Sequence, residues 1–184
     1  MPYPPRYAPA EQFLHVRTRA TGRERLHKDF WDYEGMLFRT GLQAVEHELG
    51  CVAYCLMPTH VHFVLRPARE TVSDAMRNLL NGYAQRYNRR WERRGHLVER
   101  RFRCTPAAST GHLHRMLRYV HRNPVKDGLV ARPEQWLHSS YRATLGLAPA
   151  PEWLDVATLL KLFHPVAATA RSEYRAFVEE ELDD

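Results

Sequence analysis

Two histidines one residue apart, His60 and His62, sit in the run CVAYCLMPTHVHFVLRP over 51–67. Both halves of that run alternate and are rich in β-branched and aromatic residues, with Met57-Pro-Thr59 as the break, so it reads as strand, tight connection, strand. Side chains on a strand point alternately to opposite faces, so His60 and His62 share one face while Val61, Phe63 and Leu65 take the other. Two neutral imidazoles side by side lie within reach of one metal ion. An isolated His-x-His is more often structural or merely exposed, so the pair needs company. A second constellation lies on a helix read over Thr110 to Asn123 with Leu113, Met116, Leu117 and Val120 as its buried stripe. At 3.6 residues per turn His112, Arg115, Tyr119 and Asn123 share the flank of that stripe, so an amide one turn after a phenol can face the same point in space. Pro124 is expected to stop this helix at Asn123.

A third group is cationic. Arg86, Arg89, Arg90, Arg93 and Arg94 crowd the far end of a helix read over Thr71 to Arg94, with Thr71 or Ser73 as cap and Met76, Leu79, Leu80, Tyr83, Tyr87 and Trp91 along it. Arg100, Arg101 and Arg103 follow on a fourth strand within His96 to Cys104. Guanidinium groups pair with phosphates and aromatic rings stack on unpaired bases, so this interleaving suits nucleic acid, and Arg115 and Arg122 extend it along the tyrosine helix. Taken singly, the aromatics read as core. Taken as a cluster, the arginines read as a phosphate-binding surface rather than a solvated helix end.

The elements that must hold these groups can be read in order. A proline-rich lead is followed by FLHVRT, Phe13 to Thr18, a first strand by its alternation. Phe30 to Leu49 carries apolar residues at Phe30, Leu37, Phe38, Leu42, Val45 and Leu49, with Gly50 as the stop, and reads as an amphipathic helix. With the strand pair, the long helix and the fourth strand the order is βαββαβ. The expected architecture is α+β: a ferredoxin-like antiparallel sheet with helices packed on one face and a short helical tail. The expected division is a catalytic domain over 1–132 and a helical C-terminal extension over 133–184, packed on it or linked to it.

Composition bounds the rest. The 184 residues, 44% hydrophobic and 26% charged, suffice for one well-buried domain and an appendage. A formal charge of +6 favours a polyanionic partner. Three cysteines with no C-x-x-C are expected to be reduced thiols. No apolar run approaches the roughly 20 residues of a membrane span, and Met1 to Pro9 lacks the apolar core of a signal peptide. These features lead to the expectation of a soluble protein of the cytosol, with no membrane partner.

The phrase Tyr54-Cys-Leu-Met-Pro-Thr-His-Val-His-Phe-Val-Leu65 resembles the His-hydrophobic-His strand pair of the HUH nucleases. It is most similar to the form in the REP-associated tyrosine transposases, close to A-Y-C-L-M-P-N-H-V-H, with Thr59 in place of the Asn. Arg118-Tyr-Val-His-Arg-Asn-Pro-Val-Lys-Asp-Gly-Leu-Val130 resembles that family's tyrosine helix, Y-I-x-x-N-P-V-x-x-G-L-V. PEQWLHSSYRATLG over 133–146 resembles its W-S-S-Y segment, and Trp153-Leu-Asp155 with the helix around Tyr174 to Val178 resembles its C-terminal extension. The resemblance spans nearly the whole chain. The chain departs from the pattern at Gly95-His-Leu-Val-Glu-Arg-Arg-Phe102, where the family commonly has G-H-L-W-Q-G-R-F, and at Ala20-Thr-Gly22, where it tends to G-N-N. These differences bear on substrate specificity more than on chemistry.

A phosphodiester attacked in line by an oxygen nucleophile needs its non-bridging oxygens neutralised, which a divalent metal can do. His60 and His62 supply two ligands, Asn123 is the candidate third, and Mg²⁺ or Mn²⁺ is the expected ion. Tyr119 is the candidate nucleophile; a phenol is mostly protonated at neutral pH, so positive charge nearby must help it. The resemblance implies a 5′-phosphotyrosine intermediate and a free 3′-OH on single-stranded DNA beside a hairpin. Three readings stay open: this DNA nickase and strand transferase, a domesticated hairpin binder that no longer cuts, and an unrelated metal hydrolase with water as nucleophile. Monomer and homodimer are both compatible with the sequence.

Overall fold

The computed structural model describes residues 8–22, 24–99 and 101–180. Alternation in the first segment gives β1 (Leu14–Arg19), and the following helix α1 (Phe30–Glu46) begins at Asp29, whose carboxylate accepts the backbone N–H of Asp32. Then come β2 (Cys51–Leu56), β3 (His60–Leu65), α2 (Val72–Arg90), β4 (Arg103–Pro106) and α3 (Thr110–Lys126). The sheet order is β2-β3-β1-β4 with every neighbouring pair antiparallel. The α+β antiparallel sheet is therefore as the periodicity reads, and the order is that of a split βαβ arrangement. No helix among the described residues is long and apolar enough to cross a membrane.

The helices, however, occupy both faces of the sheet and not one. On the first face Leu14, Val16, Tyr54, Leu56, Val61, Phe63 and Leu65 pack with Tyr33, Met36 and Ala44 of α1 and with Met76, Leu79, Leu80, Tyr83 and Tyr87 of α2. On the second, Val52, Cys55 and Val64 meet Leu113, Leu117 and Val120 of α3. Every residue of β2 and β3 is consequently buried. α3 lies against the sheet face whose alternate residues include the two histidines, so it roofs them.

Three local expectations are revised. In α1 the residues that mark it as amphipathic are mostly outside: Phe30, Phe38, Leu42 and Val45 are exposed, while Tyr33, Met36, Thr40, Gly41 and Ala44 face inward. Small residues let the helix sit close, with Gly41 against the Trp153 ring. The fourth strand starts at Arg103 and not at His96; before it, Val98 alone bridges Ala20, and α2 ends at Arg90. Pro124 does not end α3. It lies in the last turn, where its missing N–H costs one bond, and the turn closes through Asp127 N–H to Asn123 C=O (3.0 Å) before Gly128 at φ +68°.

After a 3₁₀ turn at Pro133–Gln135, α4 (Tyr141–Thr144), α5 (Val156–Lys161) and α6 (Ala167–Glu179) complete the chain. This segment covers the β2 edge, which would otherwise present unpaired backbone groups. Leu56 N–H donates to His138 C=O (2.9 Å), Ser140 N–H to Tyr54 C=O (3.0 Å), and the Trp136 indole to Leu56 C=O (3.0 Å). Leu159, Leu160, Tyr174 and Val178 join the same cluster as Val52 and Leu117, so the C-terminal segment shares a core with the sheet.

Two imidazoles in these cores are titration sensors of stability. His27 bonds Met57 C=O (2.8 Å), and His121 lies between the Ser140 hydroxyl (2.8 Å) and the Tyr174 phenol (2.6 Å). Burial pushes His27 down to about 4 and His121 to about 3. In the unfolded chain a histidine titrates near 6.5. Below about pH 6.5 the unfolded state therefore binds protons that the folded state refuses, and stability falls with pH by up to about 1.4 kcal/mol per unit for each histidine. The loss levels off only near the folded values. Thermal melts from about pH 7 down to about pH 4.5 should show a steadily falling Tm, and a flat profile would refute this account.

Candidate metal and nucleophile site

The site is built where β3, β1 and α3 meet. Alternation on β3 sends His60, His62 and Val64 toward α3, and His60 and His62 are 3% and 0% exposed. Alternation on β1, with Leu14 and Val16 in the first core, sends His15, Arg17 and Arg19 to the same side. The register sets Arg17 opposite His62, Arg19 opposite His60, and Arg103 of β4 opposite Arg17.

His62 Nδ1 is 2.8 Å from His15 Nε2, and the two rings stack with centroids 5.0 Å apart. Its other nitrogen, Nε2, is buried without a hydrogen-bond partner. His60 Nδ1 meets the Thr59 hydroxyl at 3.0 Å, and its Nε2 meets Asn123 Oδ1 at 3.0 Å. Because a hydroxyl both donates and accepts, Thr59 suits either tautomer of His60. The Tyr119 ring stands edge-on to His62 (5.4 Å) and to His15 (5.9 Å), and is 37% exposed. Lys126 Nζ lies 5.8 Å from the same ring. The α3 periodicity thus brings Tyr119 and Asn123 to the histidine pair, and Asn123 is 3% exposed because the helix continues past it.

Electrostatics keep these imidazoles neutral. Burial, followed by Arg17 and His112, lowers His15 to about 4; burial, followed by His15, His60 and the β1 arginines, lowers His62 to about 2. His60 is lowered chiefly by burial, with Arg17 and Arg19 adding and the Asn123 contact opposing. Neutral imidazole is the metal-binding form.

The residues fit a divalent ion. The orphaned Nε2 of His62 calls for a partner, and His60 Nε2 and Asn123 Oδ1 already converge on each other. Two imidazole nitrogens and an amide oxygen are a donor set that first-row and related divalent cations accept. Among the described residues no three His, Cys, Asp or Glu side chains are grouped to hold a metal; the further oxygen donor next to the pair is the Asn123 amide, 3.0 Å from His60 Nε2.

The arginines divide into three groups. Arg101 and Arg103 join Arg17 and Arg19, with Glu99, around a depression of about 180 Å³ beside the histidines. Arg115 is exposed on the Tyr119 flank of α3. Others are engaged elsewhere: Arg122 donates to Val178 C=O (3.1 Å) in the last turn of α6 and to Glu180 C=O (3.2 Å) just after it, Arg90 pairs with Asp29 and with Asp32 (2.6 Å), and Arg93 pairs with Glu24 (2.6 Å) and bonds the carbonyls of Gly95 and His96. Arg86 donates to Trp31 C=O (3.0 Å), and Arg89 and Arg94 are exposed; all of the α2 group lies on the sheet face away from the histidines. Arg100 lies outside the described residues. Tyr83 and Tyr87 are core residues whose hydroxyls donate to Leu26 C=O (2.5 Å) and Arg25 C=O (2.6 Å).

Sequence reasoning passed over His15, Arg17 and Arg19. The signal was available, since the alternation that makes FLHVRT a strand puts 15, 17 and 19 on one face. What alternation does not say is which strand lies next to β3.

No protein-family model matches the chain, and no curated protein matches it. Among solved structures it is similar to that of a REP-associated tyrosine transposase bound to a REP hairpin, with a TM-score of 0.67 at 18% identity. The similarity covers 84% of this chain and 94% of the other. At that identity what the two share is the fold.

Proposed function

We propose that this protein is a single-stranded DNA endonuclease and strand transferase that acts beside DNA hairpins through a 5′-phosphotyrosine on Tyr119. The observation that carries the reading is the convergence of one exposed phenol, edge-on to His62, with a buried His60, His62 and Asn123 donor set and an arginine-lined depression alongside. The fold shared with a hairpin-bound transposase supports the choice of hairpin DNA as substrate.

Each part has a task. Arg17, Arg19, Arg101 and Arg103 hold the phosphates of the strand across β1 and β4. The Tyr119 oxygen gives up its proton and bonds to phosphorus, the P–O3′ bond breaks, and the 3′ oxygen takes up a proton. The energy of the phosphodiester is retained in the phosphotyrosine, so a 3′-OH can reverse the step without ATP. Asn123, His60 and His62 would hold Mg²⁺ or Mn²⁺, which when bound neutralises the non-bridging oxygens. In this reading the contact of His15 Nε2 with His62 Nδ1 (2.8 Å) is one in which His62 donates, which sets the orientation and tautomer of His62 and leaves its Nε2 for the ion.

The test is to trap the intermediate. Wild-type protein incubated with a hairpin carrying a single-stranded flank and Mg²⁺ or Mn²⁺ should give a denaturation-resistant protein–DNA adduct. Binding without an adduct or a nick would favour a hairpin-binding protein. Cleavage without an adduct, leaving water as nucleophile, would favour a metal hydrolase.

A further inference from the structure

The outer surface of the α1/α2 layer carries groups that the site above does not use. Trp31, Phe38, Leu42 and Val45 recur at helical spacing on α1 and are 61%, 68%, 49% and 73% exposed. Beside them the two helices exchange arginines over glycines. Arg86 lies over Gly35 and Arg39 over Gly82, each so close that a Cβ on the glycine would stand 2.2 Å from the guanidinium. With Arg89 these two line a depression of about 420 Å³ along the seam.

Arg90, at the rim, is neutralised by Asp29 and Asp32. Among the described residues Arg39, Arg86 and Arg89 have no carboxylate partner. Glu34 and Glu46 are the exposed acidic residues of α1, and Glu46 is hydrogen-bonded to Gln43 (3.1 Å). Two guanidinium groups seated over glycines and the exposed Arg89, none of the three ion-paired among the described residues, lie next to two exposed aromatic rings and form a groove for phosphates bordered by a platform for bases. An apolar stripe alone would suit a protein partner. The uncompensated cations along its edge favour a polyanion with exposed π-faces.

We infer that the α1/α2 seam is a second nucleic-acid surface, in which Arg39, Arg86 and Arg89 track the phosphates of an unpaired DNA strand whose bases stack on Trp31 and Phe38. It lies on the sheet face away from His60 and His62, so it would hold strand that is not at the reacting phosphate. The inference rests on the DNA reading above.

The test uses full-length protein with Tyr119→Phe and no added metal, and measures anisotropy of a labelled oligothymidylate longer than about 16 nucleotides. Trp31→Ser, Phe38→Ser and Arg89→Glu together alter exposed side chains and leave the arginine-over-glycine contacts intact, so the melting temperature serves as the folding control. Affinity should fall by about ten-fold or more, and bromodeoxyuridine photo-cross-links in the parent protein should map to the α1 peptide holding Trp31 and Phe38. Affinity changed by less than about two-fold, or cross-links confined to β1, β3 and β4 peptides, would overturn the inference and leave the DNA reading standing. No DNA binding by the parent protein would overturn both. A dimer that Phe38→Ser dissociates, with unchanged DNA affinity, would make the stripe a protein interface.

Discussion

Tyr119→Phe is expected to abolish the covalent adduct and to lower nicking by at least about 10⁴-fold, while binding of hairpin DNA and of metal stays at the wild-type level. The substitution keeps the ring, and with it the edge-on contacts to His62 and His15, and removes only the oxygen that would attack phosphorus. The choice of tyrosine follows from the surroundings of each phenol. Tyr83 and Tyr87 donate to backbone carbonyls inside the first core, and burial raises both. Tyr54 lies against Trp153 in the same core, Tyr141 donates to Glu179 (2.9 Å), and Tyr174 is fully buried on His121. Among the described residues Tyr119 alone pairs an exposed ring with the histidine cluster. Peptide mapping of the wild-type adduct should place the nucleotide on the α3 peptide. Recovery of the label on Tyr83 or Tyr87, or nicking by Tyr119→Phe through water, would overturn the assignment.

Removing an imidazole should be nearly as severe. His60→Gln and His62→Gln should each cut cleavage by at least about 10³-fold and weaken Mn²⁺ binding, read directly by electron paramagnetic resonance of the free ion, with hairpin binding largely kept. Glutamine is the informative substitution. Both histidines are buried between the sheet and α3, so alanine would open a cavity and mix a folding defect into the result. The face they share is turned away from the first core, yet α3 covers it, and His60 bonds Asn123 of that helix. Near-normal cutting by either glutamine variant would refute the metal assignment, and unchanged Mn²⁺ binding would refute it independently of activity.

Local periodicity was enough for much of this molecule. Period two along CVAYCLMPTHVHFVLRP set His60 and His62 on one face, and period 3.6 set Asn123 one turn beyond Tyr119; both are properties of the chain's own geometry, independent of what packs against it. The βαββαβ order followed from the same patterns. Tertiary structure decided whatever depends on a neighbour. It put α3 over the histidine face, because the sheet had two faces to bury, and so turned a half-exposed histidine pair into a buried one. It turned Phe38, Leu42 and Val45 of α1 outward, because Gly35 and Gly41 allow closer approach than large side chains do, and hydrophobicity alone does not reveal which side of a helix can come near. It divided the arginines, since Arg90, Arg93 and Arg122 found carboxylates and carbonyls far away in sequence while Arg17 and Arg19 came to lie beside the site. Above all it paired β1 with β3 in the register that sets His15 on His62: alternation fixes a side chain's face, but only the hydrogen-bonded neighbour fixes what that face meets.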